Sequence, residues 1–207
     1  MATRSSPHRA RDKPREIRER LLQISLRHFR QRGFDAVPVA EITREAGIAK
    51  GSFFNHFPTK DHVLTEVISR MVDRSIEEVG ERRLAGGEAV LAFALGLSGQ
   101  VTRDRNLALA LVPRLFMLPP TDPEELTQEE RIRQWIQERL GEALPLRVPL
   151  HQIDYGALAS VVTWTLRGTL EDWVRGEARG KGLRSTLEAQ LAFLLESAGF
   201  PVVSSSD

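Results

Sequence analysis

The side chains able to do chemistry in this sequence are few and poorly grouped for catalysis. Five histidines are present, His8, His28, His56, His62 and His151. His56 and His62 do not have the spacing that puts two imidazoles on one helical face for a shared metal. There is no cysteine, which excludes a disulfide framework, a thiolate metal site, an iron–sulfur cluster and a cysteine nucleophile. The paired carboxylates Glu77-Glu78 and Glu129-Glu130 read as solvated faces. Neither a dinucleotide or phosphate-binding glycine loop, nor HExxH, nor a GxSxG elbow occurs. The expectation is a protein that is not an enzyme, with no cofactor and no metal.

The chemistry that remains lies in Pro38 to Phe57, PVAEITREAGIAKGSFFNHF. Two short helices joined by a glycine turn behind a longer first helix make a helix-turn-helix arrangement. Ala46 is small enough for the helices to cross closely. Gly47 reaches backbone angles that a side chain makes costly, and Ile42, Ile48 and Phe53 fill the core. On a wheel of about 100° per residue, Phe53, Phe54 and Phe57 share one arc and Gly51, Ser52, Asn55 and His56 share the other. The second helix therefore has a packed side and a short polar side, flanked by Lys50 and Lys60. A helix of this kind fits the DNA major groove, where Asn55 can bond bidentately to adenine and Ser52 to several base edges. Lysines and a histidine suit phosphates, which set register. A small three-helix subdomain with no DNA role fits the same turn.

Several elements must position that stretch. Apolar residues recur at helical spacing from Arg15 to Arg32, ending at Gly33. The motif's own helices are Val39 to Ala46 and Ala49 to Phe57, the second stopped by Phe57-Pro58. Thr59 then caps a long helix, which Gly86-Gly87 ends at the latest. Helices follow over Glu88 to Val101 and Arg105 to Phe116, the second kinked or shortened at Pro113. Pro119-Pro120 is a stop, and Thr121 or Asp122 caps a helix running through Trp135 to about Glu142. Gln152 to Gly176 and Leu183 to Ala198 are the last two. The reading is an all-α chain of about nine helices with no strand.

The 207 residues allow one or two domains. Aromatics at 6% and little polar–apolar alternation disfavour an all-β fold. No apolar run approaches the roughly 18–20 residues that span a bilayer. The basic N-terminus lacks the apolar core of a secretory signal, so no membrane association and a cytoplasmic location are expected. Net charge is +1, unevenly divided: residues 1–60 hold 13 Lys/Arg against 6 Asp/Glu, and residues 61–207 hold 16 against 22. That asymmetry favours an anionic partner for the first segment, or a solubilising tail. Residues 1–14 read as a disordered basic arm, which either tracks DNA or stays solvated. Near the other end, Gly156, Ser160 and Gly168 form a small-residue stripe, and Leu187, Leu191, Leu194 and Ala198 an apolar face. These suit a partner helix or packing within the chain.

HFRQRGF, EITREAGIAKGSFFNHF and PTKDHVL, spaced without gaps over about residues 15–75, resemble the N-terminal domain of the TetR family of bacterial transcriptional regulators. The resemblance implies an N-terminal three-helix helix-turn-helix DNA-binding domain and a C-terminal helical domain for ligand binding and dimerisation. It makes Lys50, Gly51 and Ser52 the start of the recognition helix, and His56 and Lys60 phosphate contacts. Phe54 stands where the family usually has tyrosine, and Thr43 where it has alanine; both join the DNA-facing set, as does Asn55 from the wheel. Pro38 replaces the usual capping Ser or Thr. The family dimerises through its last two helices, which selects Gly156, Ser160, Gly168, Leu187, Leu191 and Leu194. The middle helices would hold an effector pocket, with Phe93, Leu97, Leu111, Phe116, Met117, Trp135 and Trp164 as lining for an apolar or aromatic compound. The domain reading is an arm over 1–14, a DNA-binding domain over 15–75 with its motif at 38–57, an effector and dimerisation domain over 76–203, and a tail over 204–207. The expected function is that of a homodimeric regulator, a repressor on a palindromic operator released by a small effector. An architectural or replication-associated DNA binder of the same fold is the alternative.

Overall fold

A computed structural model describes residues 14–117, 125–143, 153–176 and 182–202. The basic arm before Pro14, the Pro119-Pro120 stop, the Thr121 or Asp122 cap, the loop around Pro145 and Pro149, most of the glycine-rich connection after Gly176 and the tail lie outside the described residues. Among the described residues there are nine helices and no strand: α1 (Pro14–Arg32), α2 (Val39–Ala46), α3 (Lys50–Phe54), α4 (Asp61–Glu81), α5 (Gly86–Val101), α6 (Arg105–Leu115), α7 (Gln128–Gly141), α8 (Tyr155–Arg175) and α9 (Leu183–Ser197). None is long and apolar enough to cross a membrane. The chain divides into two compact units between Val63 and Leu64, whereas the sequence reading placed residues 64–75 with the DNA-binding segment.

The first unit is built on α1. Pro14 fits a first helical turn, where its missing N–H costs nothing. Glu16 sits in that first turn, and Arg30 and Arg32 in the last, as the helix dipole favours. Gly33, at φ 80°, reverses the chain. Leu21, Leu22 and Phe29 from α1 are buried with Phe34, Val37, Ile42, Phe53, Phe57 and Val63. Rings of Phe29 and Phe34 meet edge to face at 5.0 Å.

In the second unit α5 is apolar nearly all round, as a helix enclosed by others must be. It packs against α6, α7 and α9, while α8 packs against α6, α7 and α9. Gly86, at φ 55°, and Gly87 open α5 against residues 200–202. A Cβ on Gly87 would lie 3.0 Å from Phe200 Cβ, 3.1 Å from Val202 Cγ1 and 3.2 Å from the Pro201 carbonyl oxygen. Polar ties fix α4: Arg131 reaches Asp73 at 2.6 Å and Ser69 at 3.2 Å, and the Gln100 amide donates to Ser75 Oγ at 2.8 Å and the Met71 carbonyl at 3.1 Å. Pro113 is accommodated two residues before α6 ends at Leu115. α7 starts later than expected because Thr127 and Glu130 form a reciprocal capping box.

Candidate nucleic-acid interface

α2 ends at Gly47, whose φ of 70° and ψ of 30° are left-handed. The Gly47 and Ile48 amides donate to the Arg44 and Thr43 carbonyls at 3.3 and 3.1 Å, which satisfies the helix end. Nothing lies within 4 Å of a Cβ built on Gly47, so the backbone angle and not crowding requires glycine here. Ala49, in extended conformation, then turns the chain into α3.

On α3 the packed side is made by Phe53 and, just beyond the helix, Phe57, both fully buried, with rings 5.7 Å apart. Lys50, Gly51 and Asn55 are exposed, and Ser52 and His56 half-buried. Phe54 departs from the expected packed arc. It is 43% exposed, because one step along the helix turns it about 100° away from Phe53. It meets Phe53 edge-on at 5.5 Å. The face open to solvent thus combines Lys50, Gly51, Phe54 and Asn55.

Two residues of the expected DNA-facing set are placed differently. Thr43 is buried, and its hydroxyl donates to the Ala40 carbonyl at 3.2 Å; its register on the α2 face that meets the core removes it from solvent. Lys60 turns its ammonium onto the Phe34 and Val37 carbonyls at 2.8 and 3.1 Å. Conversely, Arg18 of α1 was not singled out by the sequence reading, yet it donates to the His56 carbonyl and lies 4.3 Å over the Phe57 ring.

α2 is held on α1 by ion pairs. Arg27 pairs with Glu45 and Arg32 with Glu41, while His28 Nε2 lies 2.7 Å from Glu45. Burial, followed by the nearby Arg32 and Arg27 guanidiniums, holds the His28 imidazole below its ordinary pKa. A hydrogen bond from Arg32 holds the Glu41 carboxyl below the usual carboxylate range.

In the second unit, Phe93, Leu97, Leu111 and Phe116 are buried. Trp135 is half-buried, with its ring 4.7 Å from that of Phe93. Met117 and Trp164 are 69% and 62% exposed, so the structure does not gather the seven expected lining residues in one enclosed site. A cavity of about 560 Å³ is lined instead by α4 and α5 residues, including Glu78, Val79, Glu88, Leu91 and Leu95, with Arg184 of α9. Among the expected dimer residues, Leu187 and Leu191 are fully buried inside the chain, on the side of α9 that packs on α5 and α8. Gly156, Ser160, Gly168 and Leu194 are half-buried. The large exposed apolar residues of these helices are Val161, Trp164 and Phe193. Trp164, expected as pocket lining, is four residues from both Ser160 and Gly168 and so shares the helix face of the small-residue stripe.

A glycine-turned helix pair carried on a longer helix, with a solvent-facing polar edge, defines a helix-turn-helix protein. Residues 21–67 match the model of the bacterial regulatory proteins of the tetR family. The DNA-binding segment of this chain is thus similar to that of the tetR family. The uncharacterized HTH-type transcriptional regulator YerO of Bacillus subtilis is 32% identical over 108 residues, 50% of this chain and 37% of YerO. The HTH-type transcriptional repressor KstR2 of Mycolicibacterium smegmatis is 36% identical over 130 residues, 59% of this chain and 63% of KstR2. The matches thus span less than two thirds of either relative. Over the whole fold, the structure of the Thermus thermophilus TetR-family repressor FadR in complex with lauroyl-CoA superposes with a TM-score of 0.68 at 23% identity, covering 92% of this chain and 98% of that one.

Proposed function

We propose that this chain is a sequence-specific DNA-binding transcriptional regulator, a repressor that acts as a cytoplasmic homodimer on a palindromic operator. The observation that carries the reading is the division of α3: Phe53 and Phe57 are buried, while Lys50, Gly51 and Asn55 face solvent beyond the Gly47 turn. Asn55 and Ser52 have the donors and acceptors to read base edges, Lys50 and His56 suit phosphates, and exposed Phe54 suits a sugar or a thymine methyl. The named repressor function of KstR2 supports repression.

The two-fold partner surface is read as the small-residue stripe of α8 with Trp164 and Val161, joined by Phe193 and Leu194 of α9. A dimer sets recognition helices about 34–36 Å apart or a multiple of that. An apolar or aromatic effector releases the repressor, bound in the second unit near the Phe93–Trp135 pair. The lauroyl-CoA held by the Thermus thermophilus structure supports a ligand with an apolar part. Such a ligand shifts operator affinity only by its differential affinity for the DNA-competent and released states.

A mobility-shift titration on the DNA upstream of the chain's own gene tests this. The wild type retards that duplex in preference to an unrelated one. Lys50→Ala weakens binding to both and lowers the salt slope by about one, and Asn55→Ala lowers discrimination by about 1–3 kcal/mol. Equal retardation of both duplexes, or unchanged binding by both variants, overturns the proposal.

A further inference from the structure

Lys60 stands between the exit of α3 and the start of α4. Its ammonium donates to the carbonyls of Phe34 and Val37 and lies 4.2 Å from the centroid of the Phe34 ring. Two of its three donors therefore end on the chain's own backbone, and its charge rests on an aromatic face. Phe34 and Val37 are buried and lead through Pro38 directly into α2. The ammonium thus joins the chain just before the helix-turn-helix to the chain just after it. Arg18 makes a parallel contact from α1, donating to the His56 carbonyl and covering the Phe57 ring. A helix of five residues has little stability of its own, so what holds its exit sets the direction of its exposed side chains.

We infer that Lys60 is a positioning residue for operator reading. It is a clasp across the ends of the α2-turn-α3 segment and not a phosphate contact, and Arg18 fixes the same exit from the other side. The functional half of this inference rests on the DNA-binding reading above. Without the ammonium, two carbonyls of buried residues lose a charged donor, and α3 shifts. Base-edge contacts need closer alignment than phosphate contacts, so the loss falls on the operator and spares unrelated DNA.

The test compares the full-length wild type with Lys60→Met, Lys60→Arg and Lys50→Met. The probes are a duplex selected by the wild type from a random pool and an unrelated duplex of equal length, titrated by fluorescence anisotropy over a range of salt. In Lys60→Met, which removes both carbonyl bonds, affinity for the selected duplex falls at least about tenfold, with the unrelated duplex and the salt slope unchanged. Lys60→Arg, which keeps donors and the aromatic contact, recovers most of the loss. Lys50→Met instead weakens both duplexes and lowers the slope by about one. The same behaviour in Lys60→Met marks a phosphate contact and overturns the clasp. Amide exchange without DNA gives an independent reading. The His56 and Phe57 amides, each 2.9 Å from the Phe53 carbonyl, exchange faster in Lys60→Met and near the wild-type rate in Lys60→Arg. A wild type that prefers no duplex refutes the DNA-binding reading alone. The clasp is then judged by exchange, and unchanged protection in Lys60→Met overturns it.

Discussion

Replacing Trp164 by alanine gives the sharpest test of the dimer surface. Trp164 is 62% exposed in the single chain. A tryptophan buries about 150–250 Å² when covered, so sealing the open part removes roughly 90–150 Å² from water. At about 25 cal/mol/Å² this contributes roughly 2–4 kcal/mol per protomer, doubled by two-fold symmetry to about 4–8 kcal/mol. Losing even the lower figure raises the dimer dissociation constant about a thousandfold. Sedimentation from nanomolar to micromolar concentration reads this directly, with helical content as the control for folding. Leu187→Ala is the contrasting variant. Leu187 is fully buried within its own chain, so its truncation costs about 2–5 kcal/mol of unit stability and shows first as a lower Tm. A Trp164→Ala protein with helical content intact and a dissociation constant within fivefold of wild type refutes the assignment, as does a wild type that sediments as a monomer at micromolar concentration.

Further outcomes are expected. His28 faces Arg27 and Arg32 from α1 and Glu41, Arg44 and Glu45 from α2. Its pKa is lowered from the ordinary 6.5, so the unfolded chain binds the proton more readily. The stability it contributes is complete above pH 6.5 and is lost as pH falls below that value; Tm measured across this window declines less in His28→Gln. Gly87→Ala forces a Cβ against Phe200, Val202 and the Pro201 carbonyl and destabilises the second unit by about 1–3 kcal/mol, read by denaturant melting. Thr127→Ala removes the cap hydroxyl that accepts from the Glu130 amide at 3.2 Å and costs about 1 kcal/mol, visible as faster exchange in the first turn of α7.

The features legible in the sequence were those fixed by local backbone chemistry. α2 runs from Val39 to Ala46 as expected because Pro38 and Gly47 bracket it. α8 ends before Gly176 because that residue takes a left-handed φ of 78°. Features decided by packing between helices were not legible. Leu187 and Leu191 have the spacing of a partner-facing stripe, yet a neighbouring helix of the same chain covers them, and periodicity does not say which helix. Thr43 did not join the DNA-facing side, and Phe54 left the packed arc, because the facing of a short helix depends on how its neighbours seat it. Lys60 carries a long flexible stem, so its position on the chain did not reveal that its head turns inward. Thr127 and Glu130 carried the capping-box spacing in plain view, but Thr121 and Asp122 next to the prolines drew the boundary too early.

The contact of Gly86 and Gly87 with Phe200 to Val202 has a consequence for biogenesis. The start of α5 is synthesised well before residues 200–202, which seat it. A nascent chain therefore leaves this most apolar helix without part of its cover until residues 200–202 have emerged. During that interval its leucines and phenylalanine are open to chaperones or to another growing chain, and changes at Phe200 that spare the finished fold will lower the yield of protein that reaches it.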